Sequence, residues 1–216
     1  MKIFALIPLR KGSKRIKNKN LKKIKERSIY QIVLDQAIKS KLITKVFVAT
    51  DIDNFKFKNK KVSIFKRSKH SATAKAQTEI VINEFLKSNI CDYLVLIQAT
   101  NVFLKAIYLD KALKKMLENP KFGSLVSVVN TKFFIWEKKN KLCKSLSYKL
   151  NKRPRSQDIK DKQLIENGSF YIFKRKNFLK SQNRLHGNIT YFEMPKESLF
   201  EIDDLNDLSL VRKILN

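Results

Sequence analysis

Short, continuously apolar runs, with stretches of helical period between them, constrain this chain more than any other feature. Within residues 3–8, 45–50 and 93–98, the stretches 3–8, 46–49 and 93–97 are apolar at consecutive positions rather than at alternate ones. Strands of that kind are buried on both faces, the condition of a sheet with helices packed above and below it. After the first run, Ile29, Ile32, Val33, Gln36 and Ala37 fall at helical spacing behind Ser28, an N-cap residue. The spacing then predicts a strand at 62–65, a helix at 78–86, a helix at 106–117 and a strand at 124–129. Strand, helix, strand in succession makes neighbouring strands parallel. The expectation is an α/β protein, a three-layer α/β/α sandwich on a mainly parallel sheet, whose ligands collect at the carboxyl ends of the strands.

With 216 residues and 43% hydrophobic content, one ordinary core is the expectation, and so a single domain over 1–216. The first residues lack the apolar stretch of a signal peptide. No later run approaches the roughly 18 apolar residues of a membrane helix, so a soluble, cytoplasmic protein is expected, with no membrane partner. Cys91 and Cys143 have no neighbouring His or Cys, which indicates neither a zinc site nor a disulfide framework. The net charge of +28 raises the question of nucleic acid, but 38 of the 47 cations are lysines spread over nearly every segment. A dispersed lysine excess is solvated surface. With no helix-turn-helix, zinc-finger or RNP-type motif in the chain, no specific nucleic-acid partner is expected.

The carboxyl ends of the strands carry the candidate chemistry. Behind the first strand comes Leu9-Arg-Lys-Gly-Ser-Lys-Arg-Ile-Lys-Asn-Lys-Asn20. A glycine, a small hydroxyl and a set of cations delivered by a buried strand suit a polyphosphate. With one glycine, the loop is neither the P-loop GxxxxGK[ST] nor the dinucleotide fingerprint GxGxxG. Asp51 follows the second strand, and Gln98-Ala-Thr-Asn101 follows the strand at 93–98. Near the end of the chain, Glu201 and Asp203 stand two apart in an extended stretch. Their carboxylates leave on one face and can share a hard cation, while Asp204 points the other way and can cap the helix expected at 205–215.

The ordered pattern R-x-G-S-K-R-I-x-x-K-N, Arg10 through Asn20, closely resembles the N-terminal signature of the cytidylyltransferases that activate sialic acids and related nonulosonic sugars. The resemblance extends over most of the chain. Glu166-Asn-Gly-Ser-Phe-Tyr-Ile-Phe173 resembles the family's E-N-G-x-x-Y-I-F element, and Glu201-Ile-Asp203 stands where the family has Asp-Ile-Asp. The segment at 97–105 departs from it. The family reads roughly Leu-Gln-Pro-Thr-Ser-Pro-Leu-Arg there. This chain keeps Gln98 and Thr100 but neither proline.

The resemblance implies a Rossmann-like sheet of the nucleotide-diphospho-sugar transferase type and a CTP-dependent transfer. The anomeric hydroxyl of a nonulosonic acid would attack the α-phosphorus of CTP, giving the CMP-sugar and pyrophosphate. Arg10, Gly12, Ser13, Lys14 and Lys19 would grip the triphosphate, with Arg10, Lys14 and Asp203 in catalytic roles. Asn20 and Asp51 complete the implied nucleotide site. Asp203 and Glu201 would hold Mg²⁺. Gln98, Arg155, Asn167 and Tyr171 would meet the sugar acid. Residues 131–165, where the alternation weakens, correspond to an excursion that forms a homodimer and lends residues to the neighbouring subunit's sugar pocket. The alternatives are a related nucleotidyltransferase with a different sugar or nucleotide, or a non-catalytic homologue.

Overall fold

Consecutive apolar residues become the centre of one seven-stranded sheet. The computed structural model describes residues 1–12, 16–53, 55–159 and 163–215. In chain order the elements are β1 (Ile3–Leu9), the two-residue strands β2 (Lys23–Ile24) and β3 (Arg27–Ser28), α1 (Ile29–Lys39), β4 (Lys45–Thr50), β5 (Val62–Lys66), α2 (Thr78–Ser88), β6 (Tyr93–Ile97), α3 (Ala106–Glu118), β7 (Phe122–Thr131), β8 (Trp136–Lys139), β9 (Leu142–Ser145), β10 (Gln163–Lys174), α4 (Arg175–Ser181), β11 (Asn188–Glu193) and α5 (Leu205–Leu215). The strand order is β11-β7-β10-β6-β1-β4-β5. β1 lies parallel to β4 and β6, β5 parallel to β4, and β11 parallel to β7. Only β10, among these pairings, runs antiparallel to its neighbours β6 and β7. The sheet is therefore mixed and mostly parallel, as the apolar runs predict.

Alternate residues of the central strands feed two cores. Ala5 and Ile7 of β1 face α1 and α3, which bury Val33, Leu34, Ala37, Leu109, Ala112, Leu113 and Met116. Leu6 faces the other way, into a core with Val81, Ile82, Phe85 and Leu86 of α2 and Phe178 of α4. This is the period-2 alternation of a strand serving the period-3.6 faces of helices on both sides.

A third, smaller core positions the site. Ile16, Ile24 and Ile29, from the segment after β1, pack with Val102 and Phe103 from beyond β6, and with Ile202, Leu208 and Val211 from the end of the chain. Segments far apart in sequence are thereby clamped at the carboxyl ends of β1 and β6. α5 starts at an Asp-based cap. Asp204 Oδ1 accepts from the backbone N–H groups of Asn206 and Asp207 at 2.8 and 2.9 Å, and Asp207 Oδ2 accepts from those of Asp203 and Asp204 at 2.9 Å. The capping role predicted for Asp204 is the observed one.

Candidate active site

The carboxyl ends of β1 and β6 open into a cavity of about 330 Å³ lined by Pro8, Arg10, Lys19, Asn20, Arg67, Ala76, Thr78, Val81, Gln98, Ala99 and Thr100. Two residues after Arg10, Gly12 adopts φ +77°, a left-handed conformation that L side chains adopt only under strain. Asp51, at the end of β4, accepts a 2.7 Å hydrogen bond from the Lys11 backbone. It holds the loop from behind rather than lining the cavity. Ser13 and Lys14 lie outside the described residues. The Asn20 side-chain oxygen is buried without a hydrogen-bond partner. An orphaned acceptor on a cavity wall costs free energy until a donor arrives.

Lys19 joins the loop to the acidic stretch. Its ammonium donates to the Ile202 carbonyl at 2.7 Å and to Asp203 Oδ1 at 3.0 Å, with its side chain only 14% exposed. Ile202 is fully buried and its neighbours Glu201 and Asp203 are half-buried, so the carboxylates flank a residue anchored in the third core. Glu201 Oε1 accepts from the Thr100 hydroxyl at 2.6 Å. Its other oxygen approaches Gly168, where φ is +62° and a Cβ would come within 3.2 Å of it. The E-N-G glycine thus admits the Glu201 carboxylate. Thr100, Gly168 and Glu201 come from three separate motifs and meet at one point.

Other expected residues serve the frame. Asn167 is buried, with its amide donating to Ser198 Oγ at 2.8 Å and to Met194 Sδ at 3.3 Å. The Asn101 amide reaches the Asn167 and Ser198 carbonyls from the other side. This knot crosslinks the end of β6, the irregularity in β10 between Glu166 and Tyr171, and the turn before Glu201. Tyr171 is also buried, and its hydroxyl donates to Glu166 Oε1. Burial, then this bond, push the phenol pKa far up, so Tyr171 stays neutral and acts as a hydrogen-bond donor to Glu166. Gln98 lines the cavity. Arg155 does not; it is exposed and paired with Asp158 at 2.6 Å, within the 131–165 segment.

Arg67 is a charged cavity residue that the motifs do not name. It follows directly on β5, so the rule of carboxyl ends, applied to the edge strand, reaches it. Its guanidinium donates to the Ser71 carbonyl, and its Nε is buried without a partner. Burial lowers its pKa, Asp51 and Glu84 oppose that, and the nearby Arg10 adds to it. Arg10 and Arg67 therefore bring two positive charges to one small cavity, where an anion is the natural counterpart.

The family model described as Cytidylyltransferase matches residues 4–215, nearly the whole chain. The chain belongs to the cytidylyltransferase family. Among relatives of this cytidylyltransferase-family chain, the N-acylneuraminate cytidylyltransferase of Oncorhynchus mykiss is 34% identical over 208 residues, which cover 93% of the chain and 47% of that protein. The chain thus spans about half the length of that relative. Post-translational flagellin modification protein B of Campylobacter coli is 27% identical over 99% of the chain and 94% of its own length. In fold, the chain is similar to CMP:2-keto-3-deoxy-manno-octonic acid synthetase complexed with CTP, with a TM-score of 0.69 at 16% identity, covering 100% of this chain and 98% of that one.

Proposed function

We propose that the chain activates a sialic-acid-like nonulosonic acid with CTP, giving the CMP-sugar and pyrophosphate. The observation that carries this reading is the convergence of Arg10, Lys19, Asn20 and Arg67 on one cavity whose edge holds the Thr100–Glu201–Asp203 group. The cations balance the triphosphate, and Asn20 and Arg67 offer an unpartnered buried acceptor and donor to the nucleoside. The sugar's anomeric hydroxyl attacks the α-phosphorus in line. One P–O bond forms, the bond to the leaving pyrophosphate breaks, and the hydroxyl proton passes to a nearby carboxylate. Catalysis of this kind is largely orientation and charge placement.

Mg²⁺ fits the donors present. Among the described residues no cluster of three or more His, Cys, Asp or Glu side chains forms a metal cage. Two hard carboxylates completed by phosphate oxygens and water are, however, a common Mg²⁺ arrangement. Glu201 and Asp203 would hold the ion, which would supply charge neutralisation at the phosphates. A homodimer and a cytoplasmic location complete the proposal. A second reading, a non-catalytic homologue, is favoured by one feature: both carboxylates already have protein partners, Thr100 and Lys19.

Pyrophosphate release measured with CTP, Mg²⁺ and a panel of nonulosonic acids decides between them. Turnover with one or more acids, and little with ATP, GTP or UTP, is expected. CTP binding without turnover on any acid would favour the non-catalytic reading, and absence of CTP binding would sink both.

A further inference from the structure

A second cavity, of about 510 Å³, adjoins the first and shares Ala76 and Thr78 with it. Its remaining lining is Gln77, Glu79, Gln182, Asn183 and Arg184, polar throughout. Glu79 and Arg184 come from α2 and from the loop after α4, 105 residues apart. They form a side-on ion pair, Nε to Oε1 at 2.7 Å and Nη2 to Oε2 at 3.3 Å, each side chain 22% exposed. The Arg184 guanidinium also lies 4.9 Å from the centre of the Tyr171 ring. Tyr171 in turn feels the charges of both Arg184 and Glu201. The pair is thus linked to the candidate reaction centre twice, through the shared cavity wall and through Tyr171.

We propose that Glu79 and Arg184 read the distal end of the acceptor sugar, and that they select a neutral group which both donates and accepts a hydrogen bond. The inference rests on the CTP-dependent reading for the identity of the acceptor as a sugar acid. Two of the five N–H groups of Arg184 are used on Glu79, and the other three remain to donate. The Glu79 carboxylate keeps lone pairs for a donor. A hydroxyl or an acylamino group satisfies both partners at once. An anionic tail finds the arginine already neutralised by Glu79. An apolar tail desolvates the pair without satisfying it, which is how a hydrogen-bonding site rejects an analogue lacking the group.

The test uses the purified chain with CTP, Mg²⁺ and sugar acids that differ only at the distal position: hydroxyl, acylamino, deoxy and carboxylate. In the wild type, the hydroxyl and acylamino acids should exceed the deoxy and carboxylate acids in kcat/KM by about tenfold or more. Arg184→Met should abolish that discrimination by raising the sugar KM. Glu79→Gln, which leaves Arg184 without its counter-ion, should improve the carboxylate acid by about tenfold relative to the others. The KM for CTP should stay within about twofold in both variants, a readout that general damage to the fold would move. Discrimination that survives Arg184→Met, or a CTP KM that rises in step with the sugar KM, overturns the assignment. If the wild type turns over none of the acids, the catalytic reading has failed, and calorimetric titration of the same acids into the nucleotide-free protein decides the pair by itself. Tighter binding of the hydroxyl or acylamino acid, lost in Arg184→Met, supports the pair, whereas equal binding or none overturns it.

Discussion

At Gly168 a left-handed backbone and the Glu201 carboxylate occupy the space a side chain needs, so Gly168→Ala carries two separate penalties. The backbone term is about 1–2 kcal/mol of stability. The second falls on Glu201, which must retreat by a few tenths of an ångström from its place beside Thr100. Calorimetry of CTP with Mg²⁺ should show roughly tenfold weaker binding in the variant, with metal-free binding unchanged, and equal loss under both conditions would count against Glu201 as a metal ligand. Single residues differed in how well the sequence exposed them. Arg10, Lys19 and Asn20 stood out because they are packed into eleven positions around a glycine, and the structure places all three on the cavity wall. Arg67, Glu79 and Arg184 are chemically ordinary in a chain with 47 cations and 19 acidic residues, and only folding brings them beside the cavities. Asn167 is the opposite case: it reads as a ligand beside its glycine, yet its amide is consumed by Ser198 and Met194.

Among the elements, α2 does most to join the core to the site. Its inner face buries Phe85 at 4.8 Å from Phe47 and 5.3 Å from Phe65, ring centre to ring centre. Phe85→Ala should cost about 3–5 kcal/mol in chemical denaturation, and a loss under about 1 kcal/mol would mean the packing is looser than described. The preceding residue, Glu84, accepts from the Ser68 hydroxyl at 2.5 Å and so pins the segment that carries Arg67. Burial raises the Glu84 pKa, but the bonds from Ser68 and Ser71 and the charge of Arg67 outweigh it, and the net shift is downward. A depressed carboxylate contributes stability that is present above its unfolded pKa of about 4.3 and is lost as pH falls through the folded value. Denaturation midpoints between about pH 5 and pH 3 should therefore decline less steeply in Glu84→Gln than in the wild type, and parallel curves would refute the shift. The parallel strands were legible because two-sided burial leaves uninterrupted apolar runs. The reversed direction of β10 was not, since a strand's hydrophobic pattern carries no sign. Nor was the β8–β9 hairpin, whose residues are mostly exposed and so show no core period.

On the scale of the whole molecule, the +28 charge and the exposed apolar residues of the 131–165 segment make different predictions about partners. Lysines dispersed over the surface predict weak, sequence-blind duplex DNA binding that is gone by about 0.2 M salt in a filter or mobility assay, and tight sequence-selective binding at that salt would overturn the reading of the charge as solvated surface. The apolar residues are not dispersed. Phe133, Ile135, Trp136, Leu142, Leu146 and Leu150 are all exposed within one stretch of eighteen positions, Leu142 at 76% and Leu150 at 70%. Near the base of this stretch a groove of about 830 Å³ is lined by Val129, Phe133, Met194, Pro195, Leu199, Phe200 and Ile214, with polar neighbours. An apolar hairpin and an apolar groove on the same chain suit a second copy, in which each hairpin covers the other subunit's groove through a two-fold axis. Light scattering of the purified chain should then give twice the 25.3 kDa chain mass, and Trp136→Glu with Leu142→Glu should give the monomer mass. Because both side chains lie on an exposed hairpin outside the three cores, the double variant should unfold at a temperature set by its own intact sheet. A monomeric wild type, or a variant that stays dimeric, would remove the hairpin from the interface.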